Sequence, residues 1–300
     1  MNTATLNRER LWAYLQLLRP ANIVTAWADI LAGFAVVTST ATLINLQPLL
    51  WLLLATTGLY GGGIVLNDVF DAKIDTQERP ERPIPSGRAS LRTAAILGSS
   101  LLSLGVVAAS QVSWLSTALA CAIALAAVIY DAFGKHHPVL GPINMGLCRG
   151  GNLLLGVSAM PAMVKEHWFL ALIGIIYIGA ITVLSRGEVH GGKNSTGVLA
   201  LLLIYTVITG LFSLGLLNNY QVFVALPFII LFATLVSLPV IKAVYEPTPE
   251  KIRMAVRLGV MSLIVLDGTL AAGFGSLFYG FIVLSLLPVS VALSQIFAVT

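Results

Sequence analysis

Ten stretches of roughly 20 mostly apolar residues follow one another along this chain, at about 22–44, 48–66, 90–111, 113–130, 139–162, 167–185, 197–217, 221–243, 253–275 and 278–297. A run of that length is what an α-helix needs to cross about 30 Å of hydrocarbon. The runs are continuous and do not alternate with period 2, so a membrane β-barrel is excluded. Composition agrees: of 300 residues 57% are hydrophobic and only 10% charged, whereas a soluble domain is about 25% charged because its surface must meet water. The chain is therefore expected to be all-α, a polytopic membrane bundle of 9–10 transmembrane helices forming a single domain over residues 1–300. The run at 278–297 nearly abuts the one before it and is either a tenth span or an extra C-terminal helix. A soluble enzyme, a secreted protein and a nucleic-acid-binding protein are excluded, and the net charge of +4 reports loop composition.

No signal peptide is expected, because Arg8, Glu9, Arg10 and Arg19 interrupt the first twenty residues. Cys121 and Cys148 fall inside apolar stretches, where a thiol behaves as a small core residue. With the N-terminus in the cytoplasm, every Lys and Arg except Lys165 and Arg149 falls on the cytoplasmic side. That asymmetry sets the orientation. It predicts a multi-pass protein of a bacterial plasma membrane or equivalent, with the N-terminus and any site on the cytoplasmic face. The loops on the other face are short, whereas 67–89 and 186–196 are longer and polar.

Within the first of these polar segments, Asp68, Asp71 and Asp75 stand at i, i+3 and i+7, with Asn67 one turn before Asp71. On a helix this spacing places the three carboxylates on one face. A solvated helix end is the plain alternative, but here the triplet ends an apolar helix at the membrane surface, where unpaired like charges are costly. Carboxylates with an amide carbonyl suit Mg²⁺, which commonly shares its shell with substrate phosphate. Asn67, Asp68, Asp71 and Asp75 are the candidate metal ligands. The segment that follows, residues 76–88, is broken by prolines and carries Arg79, Arg82 and Arg88. A carboxylate face beside an arginine loop can hold a diphosphate, the metal bridging acids to phosphate and the guanidinium forks binding the remaining oxygens.

Asn-Asp-x-x-Asp-x-x-x-Asp followed by Arg-Pro-x-Arg-Pro-Ile-x-Ser-Gly resembles the first signature of the UbiA superfamily of intramembrane prenyltransferases. Arg19-Pro20-Ala21-Asn22 resembles that family's opening motif, and Tyr130 with Lys135 its Tyr-Ser-x-x-x-Lys segment. The resemblance runs from about residue 17 to 275. It implies about nine helices around a cavity open to lipid, in which Mg²⁺ on two acidic motifs binds an isoprenyl diphosphate and an acceptor captures the prenyl chain. The implied partners are an isoprenyl diphosphate donor, a lipophilic or aromatic acceptor and the lipid bilayer.

The second acidic motif departs from the family. The matching stretch is Ser185-Arg186-Gly187-Glu188-Val189-His190-Gly191-Gly192-Lys193, in which Glu188 is the one acid. It is more similar to the EboC-type branch of the superfamily. Arg186 and Lys193 either supply the charge a second metal would bring, leaving a single Mg²⁺ to support ionisation, or mark a site that binds an anionic lipid without cleaving it. The candidate catalytic residues are Asp68, Asp71, Glu188 and His190, with His190 as a base toward the acceptor or a polar loop residue. The diphosphate would be met by Asn67, Arg79, Arg82, Arg88, Lys135, Arg149, Arg186 and Lys193. His136 and His137 read as a solvated loop.

Asp29, Arg149 and Asp267 fall inside spans, where ionisable groups are paired or functional. Arg149 either pairs with one of the two aspartates or reaches the diphosphate. Asn22, Asp29, Tyr130 and Asn152 are candidates for the wall of the acceptor or prenyl cavity, and Gly61-Gly62-Gly63 reads as a helix-packing patch. Two other functions compete with prenyl transfer: a binder or exporter of an isoprenoid or lipophilic metabolite, and an ion-coupled transporter using Asp29 and Asp267.

Overall fold

A computed structural model describes residues 3–38, 45–135 and 137–297. All of its regular structure is helical. A first helix, α1 (Thr3–Leu18), turns at Arg19 into α2 (Pro20–Thr38). Then come α3 (Gln47–Glu78), α4 (Leu91–Ser110), α5 (Trp114–Ile129) and, after a π-turn at Tyr130–Gly134, α6 (Leu140–Val157). The second half holds α7 (Pro161–His167), α8 (Leu170–Ser185), α9 (Asn194–Ser213), α10 (Val222–Tyr245), α11 (Pro249–Phe274), α12 (Leu277–Leu284) and α13 (Leu286–Ile296). Among the described residues eight helical segments are long and apolar enough to cross a membrane, and a ninth is the α7–α8 pair, bent by 64°. The tenth expected run, 139–162, is α6, whose apolar character is diluted by Asn144, Arg149 and Asn152. The end of the run at 22–44 lies outside the described residues.

The buried α2 sits at the centre, packed between α6 and α11. One core joins α2 and α6 to α3, α4 and α5 through Ile30, Leu52, Leu59, Leu102 and Leu155. A larger one joins them to α8–α11 through Val36, Leu153, Tyr177, Ile204, Phe232 and Leu263. The outward faces carry Leu54, Leu104, Leu125, Ile230 and Phe278 exposed, which suits contact with lipid tails, not water.

Glycines set the closest helix contacts, as small residues do in membrane bundles. A Cβ on Gly62 of α3 would lie 2.7 Å from the Gly98 carbonyl oxygen of α4, and one on Gly58 would lie 2.5 Å from that of Leu101. The packing role expected of Gly62 is therefore met against α4. Gly146 and Gly150 bring α6 equally close to α8.

Two local features position the site. At about 1.5 Å per residue, the 32 residues of α3 span about 48 Å, more than the hydrocarbon core, so its polar last turns project past the expected span end at residue 66. The break between α1 and α2 puts Arg19 at φ +44°. A non-glycine residue in that region is strained, and strain of this kind is kept where surrounding contacts hold it. Here Pro20 starts α2, where its missing N–H costs nothing, and Ala13 and Leu17 anchor α1 against Val65, Ala89 and Ala94.

Candidate active site

Asp68 and Asp75 are only 4% exposed, and both point toward the loop that follows α3. The Arg82 Nη1 donates to Asp68 Oδ1 at 3.1 Å and to Asp75 Oδ2 at 2.8 Å, while Arg19 Nη2 donates to the same Asp68 oxygen at 2.7 Å. Asp71 turns aside and pairs with Lys135 Nζ. Asn67 Nδ2 donates to Asp131 Oδ1 at 2.8 Å. The single face expected of the triplet therefore resolves into two stripes. At 100° per residue Asp68 and Asp75 lie about 20° apart and Asn67 and Asp71 about 40° apart, with the two stripes offset around the helix.

Asp68 of the first stripe, though not Asp75, faces a cavity of about 420 Å³ lined by Gln16, Arg19, Asp68, Glu78, Arg79, Glu81, Arg82, Pro83, Arg88, Glu188, Val189 and Arg253. It gathers the end of α3, the arginine loop, the 186–193 loop and the start of α11 at one end of the bundle. Arg79 Nη2 stands 4.0 Å from Glu188 Oε2. Glu188 is buried, and its Oε1 has no hydrogen-bond partner among the described residues. Burial raises the Glu188 carboxyl above its ordinary range, against the opposing pull of Arg79, Arg253, Arg19 and Arg82. Arg88 lines the cavity but is held by Gln16 Oε1 at 2.7 Å, the Glu81 carbonyl at 2.7 Å and Ser86 Oγ at 3.0 Å. It ties α1 to the loop.

The remaining candidates lie elsewhere. Arg186 is exposed and donates to the His137 carbonyl at 2.7 Å. Exposed Lys193 precedes α9, and His190 is exposed in its loop; neither lines the cavity. His136 lies outside the described residues. Tyr130 is half-buried in the π-turn. Deep in the bundle, Arg149 Nε donates to Asp29 Oδ1 at 3.0 Å, and Nη1 to Thr25 Oγ1 at 3.2 Å. Asn152 Nδ2 donates to Asp29 Oδ2 at 2.8 Å and to the Ala26 carbonyl at 2.9 Å, while its Oδ1 accepts from Thr56 at 2.7 Å. Of the two readings of Arg149, the structure places it in an ion pair with Asp29, against which Asp267 also rests. Asn22 is buried in the first turn of α2.

Arg19, Gln16, Arg253 and Asp131 belong to the site but were not singled out by their chemistry in the sequence. The Arg-Pro motif flagged the first. Asp131 could have been found from its i, i+4 spacing to Lys135, which mirrors that of Asn67 and Asp71.

The donor set at the end of α3 is all oxygen, as hard divalent cations require. Among the described residues no three His, Cys, Asp or Glu groups converge as a ready cage. Where Mg²⁺ binds, it takes one or two carboxylates and completes its shell with water and phosphate.

Multi-spanning helices of this length and apolarity, with a charged mouth at one end, are those of a multi-pass integral membrane protein. A model of the UbiA prenyltransferase family matches residues 26–258. A digeranylgeranylglyceryl phosphate synthase of Methanothrix thermoacetophila is 36% identical over 187 residues, 62% of this chain and 67% of the relative. The fold is also that of a solved digeranylgeranylglyceryl phosphate synthase, at TM-score 0.65 and 22% identity over 89% of this chain and 99% of the other. A UbiA homologue from Archaeoglobus fulgidus, solved bound to GPP and Mg²⁺, gives TM-score 0.57 at 16% identity over 91% and 99% of the two chains. The chain belongs to the UbiA prenyltransferase family, and it is a multi-pass membrane prenyltransferase.

Proposed function

We propose that the chain transfers an isoprenyl group from an isoprenyl diphosphate to the hydroxyl of a lipophilic acceptor with a glyceryl phosphate head, at the cytoplasmic mouth of the bundle. The observation that carries the reading is the meeting of Arg19 and Arg82 on one oxygen of Asp68 at the cavity wall. Guanidinium groups already gathered on a carboxylate can turn their remaining N–H donors to diphosphate oxygens. Arg79 on the same wall adds a third donor. The named activity of the Methanothrix relative supports the glyceryl phosphate acceptor and a geranylgeranyl donor, and the clustered basic loops support the cytoplasmic orientation.

Asn67, Asp68 and Asp71 would hold one Mg²⁺, with Asp75 kept as the anchor of Arg82. Mg²⁺ bound there would add positive charge to the diphosphate as it leaves. Around it, Arg19, Arg79 and Arg82 bind and orient the diphosphate, and Lys135 meets it from the other stripe. The carbon–oxygen bond of the donor breaks, the acceptor hydroxyl forms the new ether bond, and its proton leaves with pyrophosphate as the second product. Preorganised charge of this kind is commonly the largest contribution to catalysis.

The test is pyrophosphate release by purified protein in lipid nanodiscs given geranylgeranyl diphosphate, Mg²⁺ and a glyceryl phosphate monoether. Asp68→Ala and Asp71→Ala should each lower turnover by about 100-fold or more, the scale seen when one preorganised charge contact is removed. Unchanged turnover in both variants would overturn the metal assignment. Turnover with aromatic acceptors alone would overturn the glyceryl phosphate reading.

A further inference from the structure

Asp131 stands where the family's Tyr-Ser-x-x-x-Lys segment has a serine, and the proposed chemistry gives it no role. It is 5% exposed and sits in the π-turn Tyr130–Gly134, an irregularity often found at functional sites. The turn aims two side chains four residues apart, Asp131 and Lys135, at two others four residues apart on α3, Asn67 and Asp71. The result is a two-rung ladder across 64 residues of sequence, one rung an ion pair and the other an amide on a carboxylate.

The second rung has a consequence for which way Asn67 faces. In this contact Asn67 Nδ2 is the donor and Asp131 Oδ1 the acceptor, and a primary amide has one donating and one accepting end. Asp131 therefore takes the NH₂ end of Asn67 and turns the carbonyl oxygen, Oδ1, away from itself. Without the carboxylate the amide could present either end, and an NH₂ group turned toward a cation would repel it.

We propose that Asp131 is a positioning residue that locks the Asn67 amide with its oxygen toward the cation side of the site. It acts through Asn67 and touches no substrate. The inference rests on the reading in which Asn67, Asp68 and Asp71 hold Mg²⁺. Outer-shell partners of this kind typically change metal affinity by about 10–100-fold when removed.

The probe is Mn²⁺, titrated by EPR into the full detergent-purified chain with inorganic pyrophosphate present and no prenyl donor. Asp131→Asn keeps shape and packing but pairs one amide with another, so it should weaken Mn²⁺ binding about tenfold while leaving the apparent Tm unchanged. The exchanged pair Asn67→Asp with Asp131→Asn restores one carboxylate and one amide, with an oxygen again turned outward. It should recover affinity to within about threefold of wild type, on the scale set for outer-shell partners. Unaltered Mn²⁺ affinity in Asp131→Asn, or an exchanged pair no tighter than the single variant, would overturn the role of Asp131 alone. Absence of saturable Mn²⁺ binding in the wild type, or binding indifferent to Asp68→Asn, would overturn the metal reading itself.

Discussion

Replacing Arg82 with methionine separates what this residue does for the fold from what it does for the donor. In the wild type its Nη1 reaches two carboxylates, Asp68 at 3.1 Å and Asp75 at 2.8 Å. After the substitution Asp68 still has Arg19 at 2.7 Å. Asp75, 4% exposed, loses its cation, and it lies in the last turn of α3, where the negative end of the helix dipole adds to the penalty. The cost is that of one stranded buried carboxylate, about 3–5 kcal/mol. For a chain of this size about 2 °C of Tm goes with each kcal/mol, so the apparent Tm should fall by about 6–10 °C. Unfolding of such proteins is commonly irreversible, and the comparison needs one detergent and one scan rate. Adding Asp75→Asn removes the stranded charge and should recover at least half of that loss. Donor affinity should not recover, because the guanidinium proposed to bind the diphosphate is still missing. A double variant no more stable than Arg82→Met would refute the pairing argument, and one that regains donor affinity would remove Arg82 from the binding site.

Three further outcomes follow from individual contacts. The raised Glu188 carboxyl holds its proton in the fold at pH values where the unfolded chain has lost it, so its contribution is fully present at low pH and declines as pH rises above the ordinary carboxylate range. Plots of apparent Tm against pH for wild type and Glu188→Gln should therefore diverge in the wild type's disfavour with rising pH; the opposite slope would refute the burial argument. Arg149→Met strands Asp29 within the bundle and should cost about 3–5 kcal/mol, whereas Arg149→Met with Asp29→Asn should cost clearly less, both read by thermal unfolding. A Cβ on Gly33 would lie 2.4 Å from the Leu153 carbonyl oxygen and 2.6 Å from the Val157 nitrogen. Gly33→Ala should push α2 off α6 and destabilise by about 1–3 kcal/mol or more, and an unchanged Tm would show that the helices separate freely.

The helices were legible because a membrane leaves the backbone few other choices, and among the described residues the apolar runs are helical, the last of them as α12 and α13. Polar ends were not legible in the same way. The carboxylates of α3 read as the end of an apolar helix, yet the helix continues to Glu78 because side chains at the membrane surface no longer need to be apolar. Nor does α1 appear among the expected spans, since Arg8, Glu9 and Arg10 interrupt its apolar residues, although Ala13 and Leu17 pack it against the bundle. The acidic motif and the arginine loop were visible as residues, but their pairings were not. Arg19 reaches Asp68 across 49 residues, Lys135 reaches Asp71 across 64, and Arg149 chose Asp29 across 120. Such choices belong to packing, which sequence spacing along one helix does not encode.

Those pairings change how the site itself is understood. Read from spacing alone, three aspartates in a row wait for a metal to relieve their repulsion. In the fold each already has a cation from the chain: Arg19 and Arg82 on Asp68, Lys135 on Asp71, Arg82 again on Asp75. The groups proposed to grip the diphosphate are thus the counter-ions of the carboxylates proposed to grip the metal. Binding of donor with Mg²⁺ then exchanges partners within a charge-balanced cluster, and neither ligand enters a field of uncompensated charge. It follows that metal and diphosphate should bind with positive coupling, each freeing the partners of the other. Loss of a single cation should damage stability and donor binding together, whereas loss of a matched acid and base should spare the first and not the second.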